Sequence, residues 1–136
     1  VFAGYSKISQ SSGGTLVDGD KTEIAMGATY AIGGITVGYQ FSESNRSLVT
    51  STEAYENNAY GVSFAVNDDL SISYNNYESD QTGTTVLSTE ASSFQIAYSA
   101  GGLSVRVADQ TVDNKNYCTD AANQRDATTL SVALAF

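Results

Sequence analysis

The chain contains no proline, no histidine and no tryptophan, and has a single cysteine and a single methionine among its 136 residues. Without histidine it lacks the side chain that most often serves as general base or neutral metal ligand near pH 7. The one cysteine, Cys118, excludes a cysteine-based metal cluster, and an odd thiol in an oxidising compartment points to a partner elsewhere. Positive charge is scarce: six Lys and Arg stand against fifteen Asp and Glu, for a formal charge of −9. Nothing in that balance would neutralise phosphates, which excludes nucleic acid as a partner. No run of eighteen or more apolar residues occurs, so there is no transmembrane helix, and the N-terminus has neither the basic nor the apolar region of a signal peptide. Helical periodicity is absent as well. No Gly-x-Ser-x-Gly and no cysteine cluster is present, and no pair of carboxylates is expected on one strand face, so the chain reads as a non-enzyme.

What is present is alternation. In and just before the stretch TYAIGGITVGYQF, which begins at Thr29, the residues Ile24, Met26, Ala28, Tyr30 and Ile32 fall on one parity, and Ile35, Val37, Tyr39 and Phe41 mirror them beyond Gly33-Gly34. Successive side chains of a strand point to opposite faces, so this is a hairpin with one apolar and one small, polar face. Two glycines supply the positive φ angles of a two-residue hairpin turn. The same arrangement returns with Tyr60, Val62, Phe64 and Val66 before Asn67-Asp68-Asp69 and Leu70, Ile72 and Tyr74 after it. It returns again around Gly101-Gly102, from Phe94, Ile96 and Tyr98 to Leu103, Val105 and Val107, and the last strand carries Leu130, Val132, Leu134 and Phe136. The first strand is ambiguous, since Phe2 and Ile8 compete with Val1, Ala3 and Tyr5 for the apolar parity. This makes an all-β, antiparallel up-and-down chain of eight strands, with short turns near 33–34, 67–69 and 101–102. Long loops are expected near 10–22, 42–58, 77–91 and 110–127, and thirteen of the fifteen acids fall in them or at their edges.

A soluble sandwich also alternates, but its solvated face would carry Lys, Glu and Arg. Here the polar parity holds Gly, Ala, Ser, Thr and Gln, with Arg106 as the one charge in the middle of a clear strand. Short turns at one end and long loops at the other match an outer-membrane barrel. Aromatics are placed for girdles: Tyr30, Tyr98 and Phe136 towards the short turns, Tyr39, Phe41, Tyr60 and Tyr74 towards the loops. The even hairpins, the Gly-Gly turns, GATYAIGGITVGYQF and the terminal LSVALAF resemble the C-terminal half of a Gram-negative general porin of the alphaproteobacterial type. That resemblance implies a sixteen-stranded transmembrane barrel, usually a homotrimer in the outer membrane, that passes small hydrophilic solutes and ions by diffusion. It also implies an assembly signal at Leu130, Val132, Leu134 and Phe136, although Ser131 stands where that signal often has Gly.

An eight-stranded barrel is filled by its own side chains, whereas the inward set here is too small to fill one, which favours a half of a wider barrel. The pore-lining candidates are Arg106, as a local attraction for anions, and the neutral Gln40, Gln95, Ser63, Ser73 and Ser104. A salt bridge is the competing role for Arg106. No cofactor is expected beyond a loop-bound Ca²⁺ or Mg²⁺, for which Asp18, Asp20, Asp113 and Asp120 are weak candidates beside the plainer reading of solvated turns. Such ions would link the loops to lipopolysaccharide around the barrel. The acidic end should give a mild cation preference. The rival readings are a non-conducting structural or adhesive barrel and a soluble secreted β-sandwich that binds sugars.

Overall fold

The computed structural model describes residues 1–9, 20–47, 52–83, 87–118 and 123–135. They form eight strands: β1 (Phe2–Ile8), β2 (Lys21–Ile32), β3 (Ile35–Ser47), β4 (Thr52–Ala65), β5 (Leu70–Thr82), β6 (Leu87–Ala100), β7 (Leu103–Asp113) and β8 (Arg125–Leu134). All eight belong to one antiparallel sheet in the order β1 to β8, each strand hydrogen-bonded to its sequence neighbours, which leaves β1 and β8 as edges.

The short turns are local chemistry. Gly33 and Gly34 have φ of 56° and 83°, and Gly101 and Gly102 have 57° and 81°, the paired positive values of a type I′ turn. Between β4 and β5 the Asn67 side chain does comparable work, its Oδ1 accepting from the backbone N–H of Asp69 at 2.9 Å and of Leu70 at 2.8 Å.

The strands run well beyond their apolar segments. Residues 42–47 and 52–58, 77–82 and 87–91, and 110–113, expected in long loops, are strand. Only residues 48–51 separate β3 from β4, and 83–86 separate β5 from β6. The reason is that backbone pairing needs no apolar side chain. Once a hairpin is in register, Ser, Asn, Thr and Glu continue the ladder, while the hydrophobic period stops where the face ceases to be apolar. The acids expected in loops are therefore mostly on strands.

Register places the expected apolar residues within β2 to β8 on one face, Val66 lying beyond the end of β4 and Phe136 outside the described residues. Ile32, Ile35, Phe64, Ile72, Ile96, Val107 and Leu130 form a single row across seven strands. In β1 the ambiguity resolves towards Tyr5, which pairs with Ile24, and Phe2 lies on the polar face opposite Gly27. A Cβ on Gly27 would come within 2.6 Å of the Phe2 ring, so the ring occupies the space a side chain there would need.

This apolar face has no second layer over it. Among the described residues Ala108 is the only buried apolar side chain, and Leu130 and Leu134 are each 67% exposed. Fully covering a large apolar side chain is worth about 1.5–3 kcal/mol. Across this face the stabilisation left unclaimed in water is on the order of tens of kcal/mol, more than the whole net stability of a typical domain.

Because the two Gly-Gly turns share one geometry, their glycines separate φ strain from crowding. Alanine at Gly101 would meet no atom within 4 Å, whereas alanine at Gly102 would meet the Ala135 carbonyl oxygen at 2.7 Å. We expect Gly101→Ala to cost about 1–2 kcal/mol, from the left-handed backbone alone, and Gly102→Ala to cost more. Urea unfolding in detergent measures both, and equal costs would contradict the packing at Ala135.

Candidate functional site

One border defines the extent of the apolar face. On the apolar face the last large apolar or aromatic residue towards the long-connection end is Tyr5, Ile24, Phe41, Tyr60, Tyr74, Phe94, Val107 and Leu130 in β1 to β8 respectively. Tyr5 and Ile24 are paired, and Phe41 stands one row lower, opposite Met26. Tyr60 is a row lower again, opposite Tyr39, and Tyr74 and Phe94 share the next row with Val62. Val107 and Leu130 lie one row below them. The border thus descends four rows, or eight residues, over seven strand spacings. At standard spacings that is about 27 Å along the strands against about 34 Å across them, a slant of about 40°. Aromatic rings occupy five of its eight positions: Tyr5, Phe41, Tyr60, Tyr74 and Phe94. Phe94 was not among the girdle residues read from the sequence, and Phe136 lies outside the described residues.

Carboxylates stand beyond that border, next to it in β3 and β7 and one same-face position further on in β4, β5 and β6, after Asn58, Asn76 and Ser92. Glu43, Glu56 and Asp80 stand in one cross-strand row, and Glu78, Glu90 and Asp113 in the next. Glu78 and Asp80 also share one face of β5, so carboxylate pairs do occur on a strand face, contrary to the expectation from sequence. Hydrogen bonds moderate the crowding. Asn76 Nδ2 donates to Glu90 at 2.8 Å, Thr128 Oγ1 to Asp109 at 3.0 Å, Asn45 to Glu43 and Ser88 to Asp80.

The opposite face is small and polar, and the sheet curls about it. A cavity of about 710 Å³ is lined by residues of seven strands, from Phe2 in β1 to Gln110 in β7. Its floor is the row Thr29, Gly38, Gly61, Asn75, Ser93 and Gln110. Gly61 leaves the space that the Asn75 amide fills, since a Cβ there would lie 2.4 Å from Asn75 Oδ1.

All six neutral or charged wall candidates are on this face. Ser63, Ser73 and Gln95 share one row, Gln40 stands between Gly27 and Ala59, and Arg106 between Ala97 and Ser131. Ser104 is opposite Ser99 near the short turns, and the two hydroxyls are hydrogen-bonded. Arg106 is exposed and makes no ion pair among the described residues. The reason is geometric, because the nearest carboxylates of its own strand, Asp109 and Asp113, are of opposite parity and occupy the other face.

Of the cation candidates, Asp18 and Asp120 lie outside the described residues. Asp20 is engaged by Lys7, with Nζ to Oδ2 at 2.6 Å, and that hydrogen bond holds its carboxyl below the ordinary aspartate range. Asp113 is paired opposite Glu90 in the sheet. Among the described residues no group of three or more potential ligands comes together to hold a metal ion. Of the assembly-signal candidates, Leu130, Val132 and Leu134 share the apolar face of β8, each opposite an apolar residue of β7.

No protein-family model and no curated protein sequence matches this chain. Its functional reading rests on its own two faces.

Sequence reasoning missed a cluster at the loop end of the polar face. Ser79 is 2% exposed, its hydroxyl donating to Asn57 Oδ1 at 2.6 Å and lying 2.6 Å from the Tyr117 hydroxyl. Tyr77 donates to the same Asn57 oxygen at 2.7 Å, and Asn57 Nδ2 donates to Ser42 Oγ at 3.2 Å. No signal in the local pattern marks these residues, since their partners are between 15 and 38 positions away in the chain.

Glu56 faces a carboxylate on both neighbouring strands, Glu43 and Asp80. Like charges directly opposite destabilise a sheet, so Glu56→Gln should raise stability by about 0.2–1 kcal/mol. Thermal unfolding in detergent should show the gain at low salt and a smaller one at high salt, where screening already weakens the repulsion.

Proposed function

We propose that this chain forms part of the wall of an outer-membrane porin of a Gram-negative bacterium, a water-filled channel for passive diffusion of small hydrophilic solutes and ions. The observation that carries the reading is the slanted apolar band. Among the described residues no helix is long and apolar enough to cross a membrane, which leaves strands to do so. Strands of a transmembrane barrel tilt by roughly 35–45°, and a flat hydrocarbon slab crossing them would mark an apolar border with that slant. A border of about 40° rimmed by aromatics has that form. The polar face supports an aqueous lumen: its strand residues are mostly small or hydrogen-bonding and line a cavity, with the Arg106 guanidinium in mid-strand making no ion pair among the described residues.

Two open edges and a small-walled polar face favour a barrel of more strands than these eight, sixteen in the porin reading, with homotrimers as the resemblance implies. The acidic rows beyond the aromatics then lie at the level of lipid and lipopolysaccharide headgroups. A β-sandwich would need a second sheet over the apolar face, and the described strands form a single sheet.

The test is native extraction followed by planar-bilayer recording. A detergent-requiring, heat-labile oligomer that opens ohmic channels is expected. A protein soluble without detergent, or one that inserts and never conducts, would overturn the porin reading. Within it, Arg106→Glu should raise the cation-to-anion permeability ratio by about twofold in dilute salt, where screening is weakest. Reversal potentials under a salt gradient measure that ratio.

A further inference from the structure

The geometry points to a narrowing of the channel within this chain: we propose that the segment Asn114–Cys118 folds inward over the polar face and that Tyr117, with Tyr55, sets a size limit on permeating solutes. This deepens the porin reading and rests on it.

The segment leaves β7 and turns over the sheet rather than away from it. Thr89 Oγ1, on the polar face of β6, donates to the Asn114 carbonyl at 2.8 Å and accepts from the Tyr117 N–H at 3.1 Å, clamping both ends of the turn. Tyr117 then reaches across β6 to β5 and β4. Its hydroxyl meets Ser79 Oγ at 2.6 Å, and its ring centroid is 5.7 Å from that of Tyr55 at 58°. Ser79 already donates its proton to Asn57, so Tyr117 is the donor at that contact. The result is a directed chain, Tyr117 to Ser79 to Asn57, in which each bond polarises the next.

The backbone shows that this position is imposed. Asn114, Asn116 and Tyr117 have φ of 52°, 59° and 54°. Asparagine tolerates the left-handed region, but a bulky tyrosine there is an outlier held by its surroundings. A connection that merely linked two strands would relax outwards into water. This one is held over the polar face by hydrogen bonds converging on the buried Ser79 hydroxyl and by a ring contact, and it places an aromatic side chain across the end of the trough.

Single-channel recording tests the assignment, with the native Cys118 beside Tyr117 as an exposed thiol for modification. Tyr117→Ala should raise conductance by about 1.5-fold and admit larger neutral sugars, as expected when a constriction loses its bulkiest group. Thr89→Ala, which unclamps the turn and keeps the ring, should move conductance the same way. A bulky cationic thiol reagent on Cys118 should lower the wild-type current. Channels indifferent to all three changes would overturn the inference and leave the porin reading intact, whereas a wild-type protein that forms no channel would sink both. Position is tested without any channel by nuclear Overhauser contacts between the Tyr117 and Tyr55 rings of the wild-type protein in detergent, whose centroids are 5.7 Å apart. Such contacts are expected, and their absence would overturn the inward fold.

Discussion

The antiparallel backbone ladder is the constraint on which everything else depends. Because side chains alternate and every strand pairs with its sequence neighbour, one register decision per hairpin commits the whole apolar set to one face. A slip by a single residue would exchange the faces completely. The Gly-Gly and Asn67 turns make those decisions locally, and the rows from Ile32 to Leu130 show them to be mutually consistent across the sheet. The consequence is unusual for a chain of this size. It organises its apolar residues thoroughly and then covers almost none of them.

Charge follows the same logic. Carboxylates beyond the aromatic border share the apolar face, although like charges across a strand pair repel. They stand where that face leaves the apolar band, while the polar face keeps its one mid-strand charge, Arg106, apart from all of them. The sheet thus holds two sets apart, the carboxylate rows beyond the border on the apolar face and the Arg106 guanidinium on the polar face, where Glu23 and its ion-pair partner Lys21 also lie, near the loop end. Tyr117 belongs to the polar face, and its contacts with β4 and β5 connect a surface segment to the polar wall.

Much of the fold was legible because its signals are short-ranged. The alternation of Tyr60, Val62, Phe64 and Val66 and the glycines at 33–34 and 101–102 each lie within a few residues of what they specify. Strand ends were not legible. Residues such as Ser42, Asn57 and Thr89 carry no period-2 hydrophobic signal, yet they pair because a hairpin already in register continues to form backbone bonds. The six wall candidates were readable from parity alone. The Tyr117–Ser79–Asn57 chain was not, since it joins three separate strands or connections.

By itself the sequence determined which side chains share a face, where the chain turns back and how little charge the middle of the polar face carries, since each of these follows from a period of two and from the conformational freedom of a glycine pair. Only the tertiary structure decided how neighbouring hairpins align, and from that came the slanted border, the opposed acids and the parity of β1. It also decided that residues 114–118 turn over the polar face. The physical reason is that alternation is a property of one strand, whereas slant, repulsion and clamping are properties of strands placed side by side.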